Sequence, residues 1–125
     1  AIATAKRLGA ILECTDVRPE TKEQVESLGG RFLTVEGAEG VKVEGGYAKE
    51  VSAEYLEKQQ QLIRDKIKDA DLVITTALVM GKKSPILVTE EMVKSMKTGS
   101  VIVDMAVESG GNCALSEKNK TVVKH

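Results

Sequence analysis

An aspartate and an arginine two residues apart, Asp16 and Arg18, follow a short run from Ala10 to Thr15. An acid at the carboxyl end of a strand is placed to accept hydrogen bonds from the hydroxyls of an adenosine ribose, and it repels a 2′-phosphate. The same acid also suits a turn or a helix cap, because its side chain can bond the backbone two residues on. Arg18 can stack on an adenine or bind a phosphate, and it can equally be a solvated surface residue. Thr75-Thr76-Ala77-Leu78 closes a second apolar run. Small residues there would let a cofactor ring approach the backbone, although Thr is also simply a good strand residue. Asp104 and Glu108 flank the end of a third run, just before Gly110-Gly111. Either acid has the chemistry of a general base, and exposure to water is the commoner fate of both types. Gly45-Gly46-Tyr47 reads as a hinged lid whose ring covers a planar ligand, or as an ordinary turn.

Other chemistries find no support. His125 is the only histidine and the last residue, so a catalytic role is not expected of it, and no Ser–His–acid set is visible. Cys14 and Cys113 are too few and too far apart for a zinc site or a disulfide framework. No phosphate-binding Gly-rich loop occurs within the 125 residues. The 18 basic residues are balanced by 19 acidic ones without a basic stripe, which argues against nucleic acid as a partner. No apolar run approaches the ~20 residues that span a bilayer. The chemistry expected is that of a bound cofactor, with the protein holding it.

The elements that must position these residues alternate. Ile2, Ala5 and Leu8 give a first helix, stopped at Gly9. Ala10–Thr15 is a strand. Pro19 opens a helix with Val25 and Leu28 inward, and Gly29-Gly30 ends it. Arg31–Val35 is a second strand. Residues 36–50 carry four glycines among charges with no period, and are expected to be a functional loop. Ser52 caps a long helix whose stripe is Tyr55, Leu56, Leu62, Ile63 and Ile67. Leu72–Ala77 is expected to be a strand buried on both faces. Thr89 caps a helix with Met92, Val93 and Met96 inward, and Ser100–Met105 is the next strand. Thr121–Lys124 is expected to be a last short strand.

This alternation predicts an α/β fold, a Rossmann-like parallel sheet with helices on both faces. Because the pattern starts on a helix, the expectation is a partial NAD(H)-binding domain over 1–125, lacking the first strand and Gly-rich loop, with the mobile-loop insertion at about 36–50. In a sheet ordered 3-2-1-4-5-6 that strand is central, between the strands ending at Thr15 and at Thr76. The alternative is a complete small α/β domain that begins on a helix.

Several blocks resemble the alpha subunit of proton-translocating NAD(P) transhydrogenase. They are residues 1–10, Thr15–Arg18, Thr21–Gly30, Gly45–Glu50, Ile74–Leu78 and Glu108–Cys113. Alanine dehydrogenases share the fold and parts of these blocks. The resemblance implies that Asp16, Val17 and Arg18 bind the adenosine half of NAD(H), and that Gly46 and Tyr47 belong to a loop closing over the nucleotide. It also implies that Gln59 and Leu78 lie near the cofactor, with Ala77, Val107 and Glu108 at adjoining strand ends. The family tends to have Met at the place of Val51 and Pro at the place of Met80. Alanine dehydrogenase-like relatives have a substrate-handling Asp at the place of Glu108. The implied reaction is direct hydride transfer between NAD(H) held here and NADP(H) on a partner domain. The implied partners are the rest of the alpha subunit, the NADP(H)-binding and membrane domains, and a second copy in a homodimer. The implied location is the cytoplasmic or matrix face of an inner membrane, where the complex translocates protons. The competing readings are an alanine dehydrogenase-like enzyme and a non-catalytic nucleotide-binding or interaction segment.

Overall fold

The structure is a computed structural model that describes residues 1–35, 42–44, 47–50 and 52–125, with the backbone alone for 42–44 and 47–50. The chain clusters into two compact units, Ala1–Lys58 and Gln59–His125.

In the first unit, helix α1 (Ile2–Arg7) runs up to Leu8 and Gly9 and carries Lys6 and Arg7 in its last turn, where the helix dipole favours cations. Strand β1 (Glu13–Cys14), helix α2 (Thr21–Ser27) and strand β2 (Arg31–Phe32) form a β-α-β unit with parallel pairing, Glu13 opposite Arg31 and Cys14 opposite Phe32. A helical crossover is what parallel neighbours require. Hydrogen bonds from Arg31 N to Leu12 O and from Leu33 N to Cys14 O extend this pairing by one residue at each end. Val25 is buried, as the helical spacing predicts, whereas Leu28 at the end of α2 is 47% exposed.

The stretch 36–50, read from sequence as an aperiodic loop, contains an antiparallel pair. Strand β3 (Lys42–Glu44) pairs with β4 (Tyr47–Glu50), with a register shift between Lys42 and Val43. Lys42-Val43-Glu44 alternates polar and apolar residues, as a strand does, and Gly45-Gly46 lies outside the described residues. Three alternating residues among dense glycines and charges were too short a signal to read as a strand, and Tyr47–Glu50 does not alternate.

Helix α3 (Ala53–Ile67) starts where Ser52 predicts, with Ser52 Oγ accepting from Tyr55 N at 3.1 Å. In the second unit, β5 (Leu72–Thr75), helix α4 (Glu90–Ser95) and β6 (Val101–Asp104) make the second parallel β-α-β unit, in register from Leu72–Val101 to Thr75–Asp104. Thr89 caps α4, its Oγ1 accepting from Met92 N at 3.3 Å, and Glu90 and Glu91 fill the first turn. The core gathers Ile67, Val88, Met92 and Cys113, with Ile63, Val73, Val93, Met96 and Ile102 against it. Fully burying a side chain such as Met92 contributes about 2–3 kcal/mol.

Three expectations are corrected in this unit. The β5 run is covered on one face only. Val73 and Thr75 face the core, while Leu72, Ile74, Val101 and Val103 are 40–53% exposed among the described residues. The apolar residues of α3 and α4 reach one side of the two strands, and no described helix covers the other. The β5 ladder also ends at Thr75 rather than Ala77, because the Ala77 backbone bonds a side chain instead. Thr121–Lys124 forms no strand. A strand needs a neighbour to bond, and the tail is held by side chains, an ion pair of Lys124 with Glu117 and a hydrogen bond between His125 Nε2 and Glu90 Oε1.

Candidate functional site

Strand polarity puts the candidate residues at carboxyl ends. In the first unit Thr15, Asp16, Val17 and Arg18 leave β1. The Asp16 carboxylate accepts three hydrogen bonds from one residue. Oδ1 takes Arg18 N at 2.9 Å and Arg18 Nε at 3.1 Å, and Oδ2 takes Arg18 Nη2 at 2.9 Å. The backbone bond is the Asx turn expected of an aspartate after a strand. The other two are the parallel bonds by which a guanidinium grips a carboxylate. The Thr15 hydroxyl beside them is buried with no hydrogen-bond partner. Burial raises the pKa of the Tyr55 phenol, and the negative charge of Asp16 raises it further.

Tyr47 is the first residue of β4, opposite Glu44. Gly46 lies outside the described residues. Gln59 is buried on α3, one turn after Tyr55.

In the second unit Ala77 and Leu78 leave β5, while Val107 and Glu108 leave β6 at the same end of the parallel pair. Leu78 is 51% exposed and Ala77 half-buried. Val107 and Glu108 sit in a single 3-10 turn, Val107–Ser109, and Glu108 is ion-paired with Lys118.

The acid that sequence reading offered as a base, Asp104, is committed elsewhere. Its Oδ1 accepts Ala106 N at 3.0 Å. Its Oδ2 accepts Asn112 N at 2.8 Å, Cys113 N at 3.0 Å and Ser116 Oγ at 2.6 Å. Burial works to raise its pKa, but the bonds from Ser116, Cys113, Ala106 and Asn112 together outweigh it and hold the carboxyl below its ordinary value. A carboxylate held this way is a poor proton acceptor and a good clamp for the 105–116 loop.

Asn112 is the residue that sequence reading missed. It is 0% exposed. Its Oδ1 accepts Ala77 N, and its Nδ2 donates to Ala77 O and Pro85 O, all at 2.9 Å. Its own carbonyl accepts Leu87 N and Val88 N. The amide therefore fixes where Ala77 leaves β5 and where the 78–88 segment returns. Gly111 must be glycine beside it, with φ at +82° and an added Cβ 2.9 Å from Asp104 Oδ2. The only signal in the sequence was the block Glu108–Cys113, which carried the resemblance but no assigned role for Asn112.

A carboxylate at the end of a parallel strand, beside an unpartnered buried hydroxyl, fits the ribose of an adenine nucleotide. A carboxylate offers roughly four acceptor positions, and two of the three bonds Asp16 accepts come from the Arg18 side chain. Among the described residues no group of His, Cys, Asp or Glu could hold a metal ion, and no helix is long and apolar enough to cross a membrane.

These features define an α/β domain of Rossmann-like type, parallel strands with helical crossovers and acids at the strand ends. The family model described as alanine dehydrogenase/PNT, C-terminal domain, matches residues 1–125, and the chain belongs to that family. It is 58% identical, over all of its length, to an NAD(P) transhydrogenase subunit alpha polypeptide of Rhodospirillum rubrum, and spans 33% of that relative. It is 32% identical over 94% of its length to an alanine dehydrogenase of Lysinibacillus sphaericus, spanning 28% of it. A solved transhydrogenase structure from Sinorhizobium meliloti superposes with a TM-score of 0.71 at 45% identity, covering 93% of this chain and 27% of that one.

Proposed function

We propose that this chain is the NAD(H)-binding segment of a NAD(P) transhydrogenase alpha subunit. The observation that carries the reading is the Asp16 carboxylate at the carboxyl end of β1, in a chain 58% identical to a transhydrogenase alpha subunit. Asp16, with Val17 and Arg18, binds the adenosine half, with Asp16 on its ribose. Ala77, Leu78, Val107 and Glu108 line the ends of β5 and β6, and Gln59, Gly46 and Tyr47 complete the nucleotide's surroundings. NAD(H), when bound, supplies the hydride exchanged with NADP(H) on a partner domain.

The chain's own contribution is to place and shield the nucleotide. Ala77 is small enough for close approach, and Asn112 fixes its backbone. Asp104 and Glu108 are engaged in a clamp and an ion pair, which matches a reaction needing no acid or base from this chain. The partners in this reading are the remainder of the alpha subunit, the NADP(H)-binding and membrane domains, and a second alpha subunit in a homodimer. Such a complex sits on an inner membrane and couples hydride transfer to proton translocation.

Titrating the intact protein with NADH and with NADPH, followed by nicotinamide fluorescence, tests the reading. NADH should bind the tighter, and equal affinities would remove Asp16 from the ribose site. Oxidation of NADH on adding pyruvate and ammonium would instead mark the intact protein as an alanine dehydrogenase.

A further inference from the structure

Lys83 brings an ammonium to the carboxyl end of the β5–β6 pair. Its stem lies across Gly110, so closely that a Cβ added there would stand 2.7 Å from Lys83 Cγ and 2.8 Å from Cε. Gly110 holds φ at +103°, a conformation that suits glycine. The next residue ties the crossing down, since Ser84 is buried and its N–H donates to Ser109 O at 2.8 Å. Asn112 joins Ala77 to Pro85 alongside, which puts Lys83 in the same knot of chain as the exit from β5. A lysine whose methylenes are laid on backbone presents its charge from a narrower range of positions than one on a free stem. Lys83 is exposed, and no acid or carbonyl among the described residues takes its ammonium. The acids at this end are already engaged, Glu108 by Lys118 and Asp104 by its four bonds. The charge of Lys83 is therefore not cancelled.

In the nucleotide-binding reading Asp16 takes the adenosine half, which leaves the nicotinamide half for the ends of β5 and β6. That ring is positive in NAD+ and neutral in NADH. Hydride transfer from NADH to NADP+ moves a hydrogen with two electrons, and so leaves the ring held here positive. A fixed cation nearby opposes that charge and is indifferent to the neutral ring. We propose that Lys83 sets the redox preference of the site, holding NADH in preference to NAD+ and so raising the potential of the bound couple. The proposal rests on the nucleotide-binding reading and gives Lys83 a role that nucleotide contact alone does not require. It differs from phosphate binding in one respect. An ammonium on a phosphate holds both forms equally, whereas an ammonium acting on the ring separates them.

The test is a charge series at position 83 in the intact protein, at low ionic strength. NADH is titrated by nicotinamide fluorescence, and NAD+ by its competition with NADH. Lys83→Gln should tighten NAD+ about two- to threefold, the effect of one unit charge across water within a Debye length, and leave NADH unchanged. Lys83→Glu should tighten NAD+ again by about the same factor. Lys83→Arg keeps the charge and should keep the parent ratio. A threefold change in the ratio is about 14 mV for a two-electron couple. Equal weakening of NADH and NAD+ in Lys83→Gln marks a phosphate contact and overturns the proposal, as does a ratio unmoved in both Lys83→Gln and Lys83→Glu. If thermal unfolding shows that Lys83→Glu does not fold, Lys83→Gln against Lys83→Arg decides, since one loses the charge and the other keeps it. A parent protein that binds neither form defeats the nucleotide-binding reading and this proposal with it. An unmoved ratio in a protein that binds both forms defeats this proposal alone.

Discussion

Two aspartates lie at the carboxyl ends of parallel strands, and both accept a backbone N–H from two residues on, Arg18 to Asp16 and Ala106 to Asp104. Beyond that shared turn they part. The remaining bonds to Asp104 come from two backbone N–H groups and a short hydroxyl, 8 to 12 residues away. Those to Asp16 come from one long arginine side chain. The first set cannot leave without moving the backbone. The second depends on side-chain torsions alone and needs no movement of the strand. Two carboxylates with the same local motif are thus held differently, one by distant backbone across a loop and one by a neighbouring side chain.

The widest gap between the two regions should come from Asn112→Asp. A carboxylate there puts charge into a fully buried position and sets an oxygen against the Ala77 and Pro85 carbonyls. An unpaired buried charge costs about 3–5 kcal/mol, so urea denaturation of the intact protein should show a loss of that order. Asp104→Asn comes next. It turns an NH₂ toward donors that need an acceptor, and about 2–3 kcal/mol should go, as for unsatisfied buried groups. A loss under about half a kilocalorie, the scale of an ordinary surface substitution, would break the comparison, because Asp104 would then be no more structural than Asp16.

The pH dependence sharpens the same point. The folded pKa of Asp104 lies below its ordinary value of 3.8. Its contribution is therefore complete above that value and is lost as pH falls through the lowered folded pKa. The stability difference between parent and Asp104→Asn should stay constant near neutrality and shrink below about pH 4. Ser116→Ala removes one of the four bonds to Asp104 and should cost about 1 kcal/mol. Arg18→Ala should be the smallest, no more than about 0.5 kcal/mol, since a partly exposed ion pair is screened by water. An effect as large as that of Ser116→Ala would show that the Asp16 fork is structural too.

Local signals were legible in the sequence because local physics produces them. Ser52 and Thr89 cap the helices they precede, and the parallel β-α-β order follows from the spacing of apolar runs. Met92 and Ile67 are buried where their stripes put them. What stayed hidden depends on residues far apart in the chain. The Asn112 amide has no period and no neighbour that announces its bonds, and the end of β5 at Thr75 is decided by that amide. The single covered face of β5 could not be read from a run that is apolar on both sides. Asp16 and Arg18 were legible as a pair of residue types. The fork that joins them was not, because spacing alone does not say which rotamer an arginine takes.

The Asn112 amide reaches back 35 residues to Ala77 and 27 to Pro85. The β5–β6 pairing spans a similar 29 residues, from Leu72 to Val101, so the amide and the strand pair close loops of similar length. The expected distinction is one of timing: if the amide bonds form after the strands pair, Asn112→Ala speeds unfolding and leaves the folding rate nearly unchanged. In that case the asparagine is a kinetic lock on the arrangement at the end of β5.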